Sequence, residues 1–306
     1  MTIKTVGAVF SLTAVLVALT ACSSNVGDNR ASLEEAVDNG IQEDWILKAQ
    51  KNAEQTVLTK PMSQLQNELL PHEKVYLPDD KTDAPFPTLI FLHGCSGPTA
   101  SHEEDWAERF NELGVAVIAV DSYSGRGIDW NDACNFEKMT PWERSGDIVA
   151  TIESLSERTT FDENNVYLAG FSHGAGTIWT FLRQLSAEKK PLSVASWPET
   201  DYESVIDGAF MFYGTCRGQW SVDIDSIMLL GGNDRYIDEA QCVNYKHPEN
   251  AGEFEYVVYP GATHTFDHAD PNPANVEAGS VYDEQATLDA WQRIKAMIEE
   301  DGNAKQ

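Results

Sequence analysis

Gly170-Phe171-Ser172-His173-Gly174 sets a serine between two glycines, directly after the apolar run Val166-Tyr167-Leu168-Ala169. At a strand-to-helix junction, Gly-x-Ser-x-Gly makes a turn so tight that the serine is strained and its neighbours must lack side chains. A hydroxyl presented this way attacks a carbonyl carbon once a base removes its proton. Gly174-Ala175-Gly176 keep the start of the next helix close, and its N–H groups and partial positive charge face the serine. The competing reading, a glycine-rich turn with an idle serine, stands or falls with the acid and base.

Those partners should follow in the order Ser, Asp or Glu, His. The apolar run 227–230 ends in Gly231-Gly232-Asn233-Asp234, and the strand-like run 255–259 ends in Pro260-Gly261-Ala262-Thr263-His264. Asp234 is thus the expected acid and His264 the expected base; Asp238, Glu239 and His268 are the competitors. The negative charge that forms on the attacked carbonyl needs two backbone N–H donors. One is expected from His173, whose side chain is incidental to that role. The other is expected from Cys95 in His93-Gly94-Cys95-Ser96-Gly97, where His93 reads as a hydrogen-bonding member of its own loop rather than a base. No step requires a metal or cofactor. His264, Asp267, His268 and Asp270 could be drawn as metal ligands, but one of those histidines already has a better use.

The elements that must position these residues alternate in type. A short edge strand is expected at 74–77, and buried strands at 88–93, 115–120, 165–170, 208–213, 227–230 and 255–259. Helical spacing marks 103–113, 141–156, 174–185 and 284–298, with Pro141 suited to a first turn. Such alternation predicts an α/β fold with a mostly parallel sheet, helices on both faces, and ligand sites at the carboxyl ends of strands.

The chain has 306 residues, 49 Asp+Glu against 21 Lys+Arg, and a net charge of −28. Such a surface repels phosphate backbones, so nucleic acid is not an expected partner. Lys4, the apolar run Val6 to Leu19 and the ending Leu19-Thr20-Ala21-Cys22-Ser23 describe an export signal resembling a bacterial lipobox. The expected organisation is a signal at 1–21, a tether with helical segments at 22–70, and a catalytic domain at 71–306. The resemblance implies acylation of Cys22, a membrane anchor, and a place in the bacterial cell envelope, at the outer membrane or periplasmic face. Without Cys22 four cysteines remain, an even number suited to an oxidising compartment, and three pairings are open.

From about residue 71 to 298 the sequence resembles the dienelactone hydrolase family of α/β-hydrolases. The resemblance is carried by HGCSG (93–97), DSYSGRG (121–127) followed by Cys134, GFSHG (170–174), GGNDRYID (231–238) and PGATHTFDH (260–268). It implies the triad Ser172, Asp234 and His264. The enzymes that cleave dienelactones have cysteine as nucleophile, bind the substrate carboxylate through arginines and hold a glutamate near the nucleophile. Here the nucleophile is Ser172, His268 follows the base, and the loop after the first long strand has no glutamate. The expectation is therefore a broader carboxylesterase acting on a small-molecule ester. Set beside the resemblance, the cysteine-bearing loops imply Cys95–Cys134 and Cys216–Cys242. Arg126 is a candidate anchor for an acidic substrate group, its alternative being a tie between loops. Tyr123, Trp130 and Phe136, with Trp197 and Tyr202, are candidate pocket walls, the alternative being loop packing. Two other functions compete: a non-catalytic binding protein on the same fold, and a prolyl-oligopeptidase-like peptidase, for which 23–70 is too short to supply a propeller.

Overall fold

The computed structural model describes residues 51–79 and 84–304. The chain divides into two units, Met1–Leu47 and Lys48–Gln306. The signal segment, Cys22 and the tether up to residue 50 lie outside the described residues.

Seven strands form one sheet: β1 (Lys74–Tyr76), β2 (Phe86–Leu92), β3 (Ala116–Val120), β4 (Phe161–Phe171), β5 (Ile206–Phe212), β6 (Ser226–Gly231) and β7 (Phe254–Tyr259). Their order is β1-β3-β2-β4-β5-β6-β7. Only β1, at the edge, is antiparallel to its neighbour. The interior strands read as unbroken apolar runs because both of their faces are covered. Along β2, Leu89 and Phe91 enter one core while Ile90 and Leu92 enter the other. Helices α2 (Ala100–Asn111) and α5 (Glu284–Ala304) cover the first core. Helices α1 (Met62–Leu69), α3 (Pro141–Leu155) and α4 (His173–Ser186) cover the second.

The expected domain boundary at residue 70 falls inside the second unit. Leu65 and Leu69 of α1 are fully buried in the second core, and the N–H of Lys60 donates to Ser193 O at 2.7 Å. Residues 60–69 are therefore part of the packed body, as a helix packing on it.

The chain crosses from β2 to β3 on one side, then returns to place β4 on the other side of β2. The crevice beyond the carboxyl ends of β2 and β4 lies at this reversal, where open α/β sheets bind ligands. Register pairs Leu92 with Gly170, which brings the His93 loop beside Ser172.

Candidate active site

Ser172 sits between β4 and α4 with φ 52° and ψ −109°, a conformation that costs a residue with a side chain about 1–3 kcal/mol. The turn is held by Ser172 N–H donating to Phe212 O at 2.9 Å and by Gly176 N–H donating to Ser172 O at 2.9 Å. Neither flanking glycine is replaceable without movement. A Cβ on Gly170 would lie 2.5 Å from the Gly174 carbonyl, and one on Gly174 would lie 2.1 Å from Leu92 O. Tight packing of helix against strand thus requires the pattern read in the sequence.

The acid and base loops are bound to each other. Gly232 N–H donates to Tyr259 O and Asn233 N–H to Ala262 O, at 2.8 and 2.9 Å. Asp234, with a fully buried side chain, accepts at Oδ1 from the N–H groups of Tyr236 and Ile237 at 2.7 and 3.1 Å. Its Oδ2 accepts from His264 Nδ1 at 2.7 Å. With Nδ1–H committed to the carboxylate, His264 Nε2 is the acceptor for the Ser172 hydroxyl at 2.9 Å. Asp238 instead accepts from Ala240 N–H, and the His268 ring lies 3.6 Å from that of His102.

The two expected oxyanion loops converge on this serine. A Cβ built on Gly94 would stand 3.7 Å from Ser172 Cβ, so the residue before Cys95 rests against Ser172. Tyr123 Oη donates to Cys95 O at 3.1 Å, and the Cys95–Cys134 disulfide ties the loop to the segment after β3. A second disulfide joins Cys216 and Cys242. His173 opens α4, so its N–H lacks an intrahelical partner by position.

Both histidines of these loops are held neutral. His93 Nε2 accepts from Ser122 N–H and Nδ1–H donates to Gly94 O. Burial, then the charge of Arg144, pushes its pKa well below the ordinary value. Burial and the same cation lower His173 to about 3. His173 Nδ1 accepts from Arg144 Nη1 at 3.1 Å, and Nε2–H donates to Met139 O at 3.3 Å.

Most of the residues expected to contact substrate have partners within the protein. Arg126 makes a two-pronged pair with Asp147 at 2.9 and 2.7 Å and also donates to Glu68 and Ser122 O. Its side chain is 7% exposed, so the guanidinium ties loops together and is not an anchor for a substrate anion. Tyr123 is buried, spends its hydroxyl on Cys95 O, and packs its ring on His93; it is loop core rather than pocket wall. Phe136 packs on His173, and Trp197 packs on the buried Tyr202. Trp130 is 41% exposed.

Two buried ionisable groups lie beneath the site: Arg144, which the sequence did not single out, and Asp267, which it offered only as a possible metal ligand. Arg144 of α3 donates Nε–H to Ser122 Oγ at 2.8 Å and Nη1–H to His93 O at 2.8 Å, besides its contact to His173. Asp267, three residues after His264, accepts from His102 Nε2, Trp106 Nε1 and Tyr213 Oη at 2.8, 2.8 and 2.9 Å. Burial alone would raise the Asp267 pKa, but His102, His268 and Trp106 outweigh it and hold the carboxyl at about 2. A signal was present for Arg144 and for His102, the partner of Asp267. Arg144 shares a helix face with Ile148, Ile152 and Leu155, and His102 precedes Trp106 and Phe110 at intervals of four.

Chemically, the arrangement supplies an activated hydroxyl, a base of fixed tautomer and two amide-bearing loops. No curated protein sequence gives a significant match. Among solved structures the chain is similar to the protein m3DLH, with TM-score 0.54, 15% identity, 74% of this chain covered and 91% of the other. It is also similar to a thermophilic esterase of the Planctomycetes species Thermogutta terrifontis, with TM-score 0.52, 14% identity and coverage of 75% and 89%. At such identities these likenesses show the shared α/β-hydrolase architecture. The family itself is shown by sequence: the model of the dienelactone hydrolase family matches residues 74–301, most of the chain and every loop described above, and the chain belongs to that family.

Proposed function

We propose that the protein is a serine hydrolase that cleaves carboxylic esters through an acyl-enzyme on Ser172. The observation that carries this reading is the continuous chain Ser172 Oγ–His264 Nε2–His264 Nδ1–Asp234 Oδ2, at 2.9 and 2.7 Å. His264 takes the Ser172 proton as Oγ bonds to the ester carbon, and the carbonyl electrons move onto oxygen. The Cys95 and His173 amides receive that oxyanion. His264 then protonates the departing alkoxide, and a water activated by the same imidazole releases the acid. Asp234 holds the tautomer and stabilises the imidazolium throughout. In structures of the Thermogutta terrifontis esterase, the protein is phosphoramylated by tabun in one and has propionate bound in another, which supports acyl chemistry on this architecture. With Arg126 engaged by Asp147 and Glu68, a general carboxylesterase is favoured over an enzyme for anionic lactones. The enzyme acts in the cell envelope, exported and held by lipid on Cys22.

A fluorophosphonate probe on the folded protein tests the reading, with p-nitrophenyl esters of graded acyl length as substrates. Labelling confined to Ser172, and turnover abolished in Ser172→Ala, are expected. Failure of folded wild-type protein to label would leave a non-catalytic binding role.

A further inference from the structure

Arg144 is fully buried, yet no carboxylate among the described residues lies within ion-pair reach of it. Asp147, one turn along α3, is taken by both prongs of Arg126. The partners of Arg144 are all neutral: Ser122 Oγ, His93 O and His173 Nδ1, with the Tyr123 ring 5.8 Å from Cζ. Its Nη2 is buried and has no hydrogen-bond partner. Keeping a guanidinium without an ion pair in a core is costly even with the more distant charges of Asp147 and Asp121, and an apolar side chain of similar size would avoid that cost. Loop-tying alone does not require the charge.

The three partners lie on the loops leaving β2, β3 and β4. His93 O is on the peptide before Gly94, which abuts Ser172, and His173 itself carries an expected oxyanion amide. We propose that Arg144 is a positioning residue that sets the two oxyanion loops and supplies the positive field into which the oxyanion forms. This inference rests on the serine-hydrolase reading. In the ground state the ester carbonyl is neutral and gains little from a buried cation. As the Oγ–C bond forms and the proton passes to His264, a full negative charge appears on the carbonyl oxygen. Arg144 transfers no proton and touches no substrate. It acts through the His93 carbonyl and the neutral His173 ring, whose burial keeps solvent from screening the charge.

Three substitutions separate field from scaffold: Arg144→Met removes charge and hydrogen bonds, Arg144→Gln removes the charge while keeping a polar head, and Arg144→Lys keeps the charge without the fork. Each is compared with wild type, at equal folded fraction, for kcat, KM and affinity for a trifluoromethyl ketone that adds Ser172 to give a tetrahedral oxyanion. Loss of one oxyanion donor typically costs about 10²–10³-fold, and a loss of about 10²-fold is expected for Arg144→Met. The loss should fall in kcat rather than KM and be matched in ketone affinity, with Arg144→Lys closer to wild type than Arg144→Gln. Should the Met variant not fold, the Gln and Lys pair decides. Ketone affinity unchanged in Arg144→Gln, a change confined to KM, or a Lys variant no better than Gln would overturn the proposal. A wild type that neither labels nor hydrolyses defeats the parent reading instead, which is a separate outcome.

Discussion

The loops beside Ser172 rest on buried groups of opposite sign that are satisfied in different ways. The oxyanion loops lie over Arg144, a cation with neutral partners and one nitrogen unspent. The loop of the base lies over Asp267, an anion whose two oxygens accept three hydrogen bonds from His102, Trp106 and Tyr213. Tyr213 also packs its ring 4.7 Å from that of His264. The signs match the charges that the proposed chemistry creates, negative on the carbonyl oxygen and positive on the imidazole. Satisfaction differs because the demands differ. His264 must be held in one orientation, which a saturated carboxylate accomplishes by geometry. The oxyanion exists only in passing, and a cation without a permanent counter-ion retains its field for that moment.

If both regions merely support the triad, loss of a triad member must exceed loss of either support. Ser172→Ala should lower kcat by about 10⁶-fold, the scale of nucleophile removal in serine hydrolases. Its melting temperature should not fall, since the substitution leaves the tight backbone turn in place. A residual rate within about tenfold of wild type would place the nucleophile elsewhere.

The disulfides sharpen the comparison because only one belongs to the cation side. Cys95–Cys134 spans 39 residues and Cys216–Cys242 spans 26. Chain entropy therefore assigns them similar values, about 4 and about 3.5 kcal/mol. Replacing either pair by alanines should cost comparable stability by urea denaturation. Only Cys95→Ala/Cys134→Ala should also lower kcat in the protein that stays folded, because it frees the loop carrying the Cys95 amide. Equal kinetic effects from the two pairs would remove the special status of that loop.

A direct contrast follows for the two buried charges. Asp267→Asn turns an acceptor of three hydrogen bonds into a group that must offer N–H where donors already point. A loss of about 3 kcal/mol is expected, with a modest fall in kcat. Arg144→Met removes a charge that has no ion-pair partner, so stability should change by less than about 1.5 kcal/mol while kcat suffers more. Urea midpoints and kcat measured on the same two variants check this. The opposite ranking, with Arg144 dominating stability and Asp267 dominating rate, would break the comparison.

The candidate triad was legible in the sequence and its supports were not, and the reason is physical. Ser172, Asp234 and His264 each follow an apolar strand and a glycine-bearing turn, a pattern imposed by covalent geometry and close packing. The sheet was legible for the same reason, as its buried strands are continuous apolar runs. Arg144 and Asp267 are charged residues, and charge ordinarily marks an exposed position. Only the helical phase of Arg144 against Ile148, Ile152 and Leu155 contradicts that, and periodicity is a weak signal against residue type. Arg126 and Tyr123 show the reverse difficulty. Loop aromatics and arginines suit ligands and neighbouring loops equally, and the choice depends on distant residues, here Asp147 and Glu68 for Arg126 and the Cys95 carbonyl for Tyr123.

The smallest expected effect is on acid stability, and it too divides between the regions. His93 and His173, beside Arg144, and His268, beside His102 above Asp267, all have pKa values depressed by burial first and by a neighbouring cationic or ionisable group second. An unfolded histidine titrates near its ordinary value of about 6.5, so as pH falls below that point the unfolded chain binds protons that the folded chain refuses. Each such histidine costs up to about 1.4 kcal/mol per pH unit, down to its folded value. For His173 and His268 that value is about 3. Glu143, raised to about 7 by burial, and Glu73, raised by burial, act in the opposite sense. Their folded forms hold a proton that the unfolded chain binds only near the ordinary carboxylate range, so they offset part of the loss above about pH 4.5. Stability should thus decline gently from pH 6.5 to 4.5 and steeply between 4.5 and 3. In Arg144→Met the lower limb should flatten, because two of the three histidines lose the cation that helps keep them neutral. Urea midpoints at pH 6.5, 4.5 and 3.5 test this. A curve for Arg144→Met parallel to that of wild type would mean that burial alone, without the charge of Arg144, sets the protonation of His93 and His173.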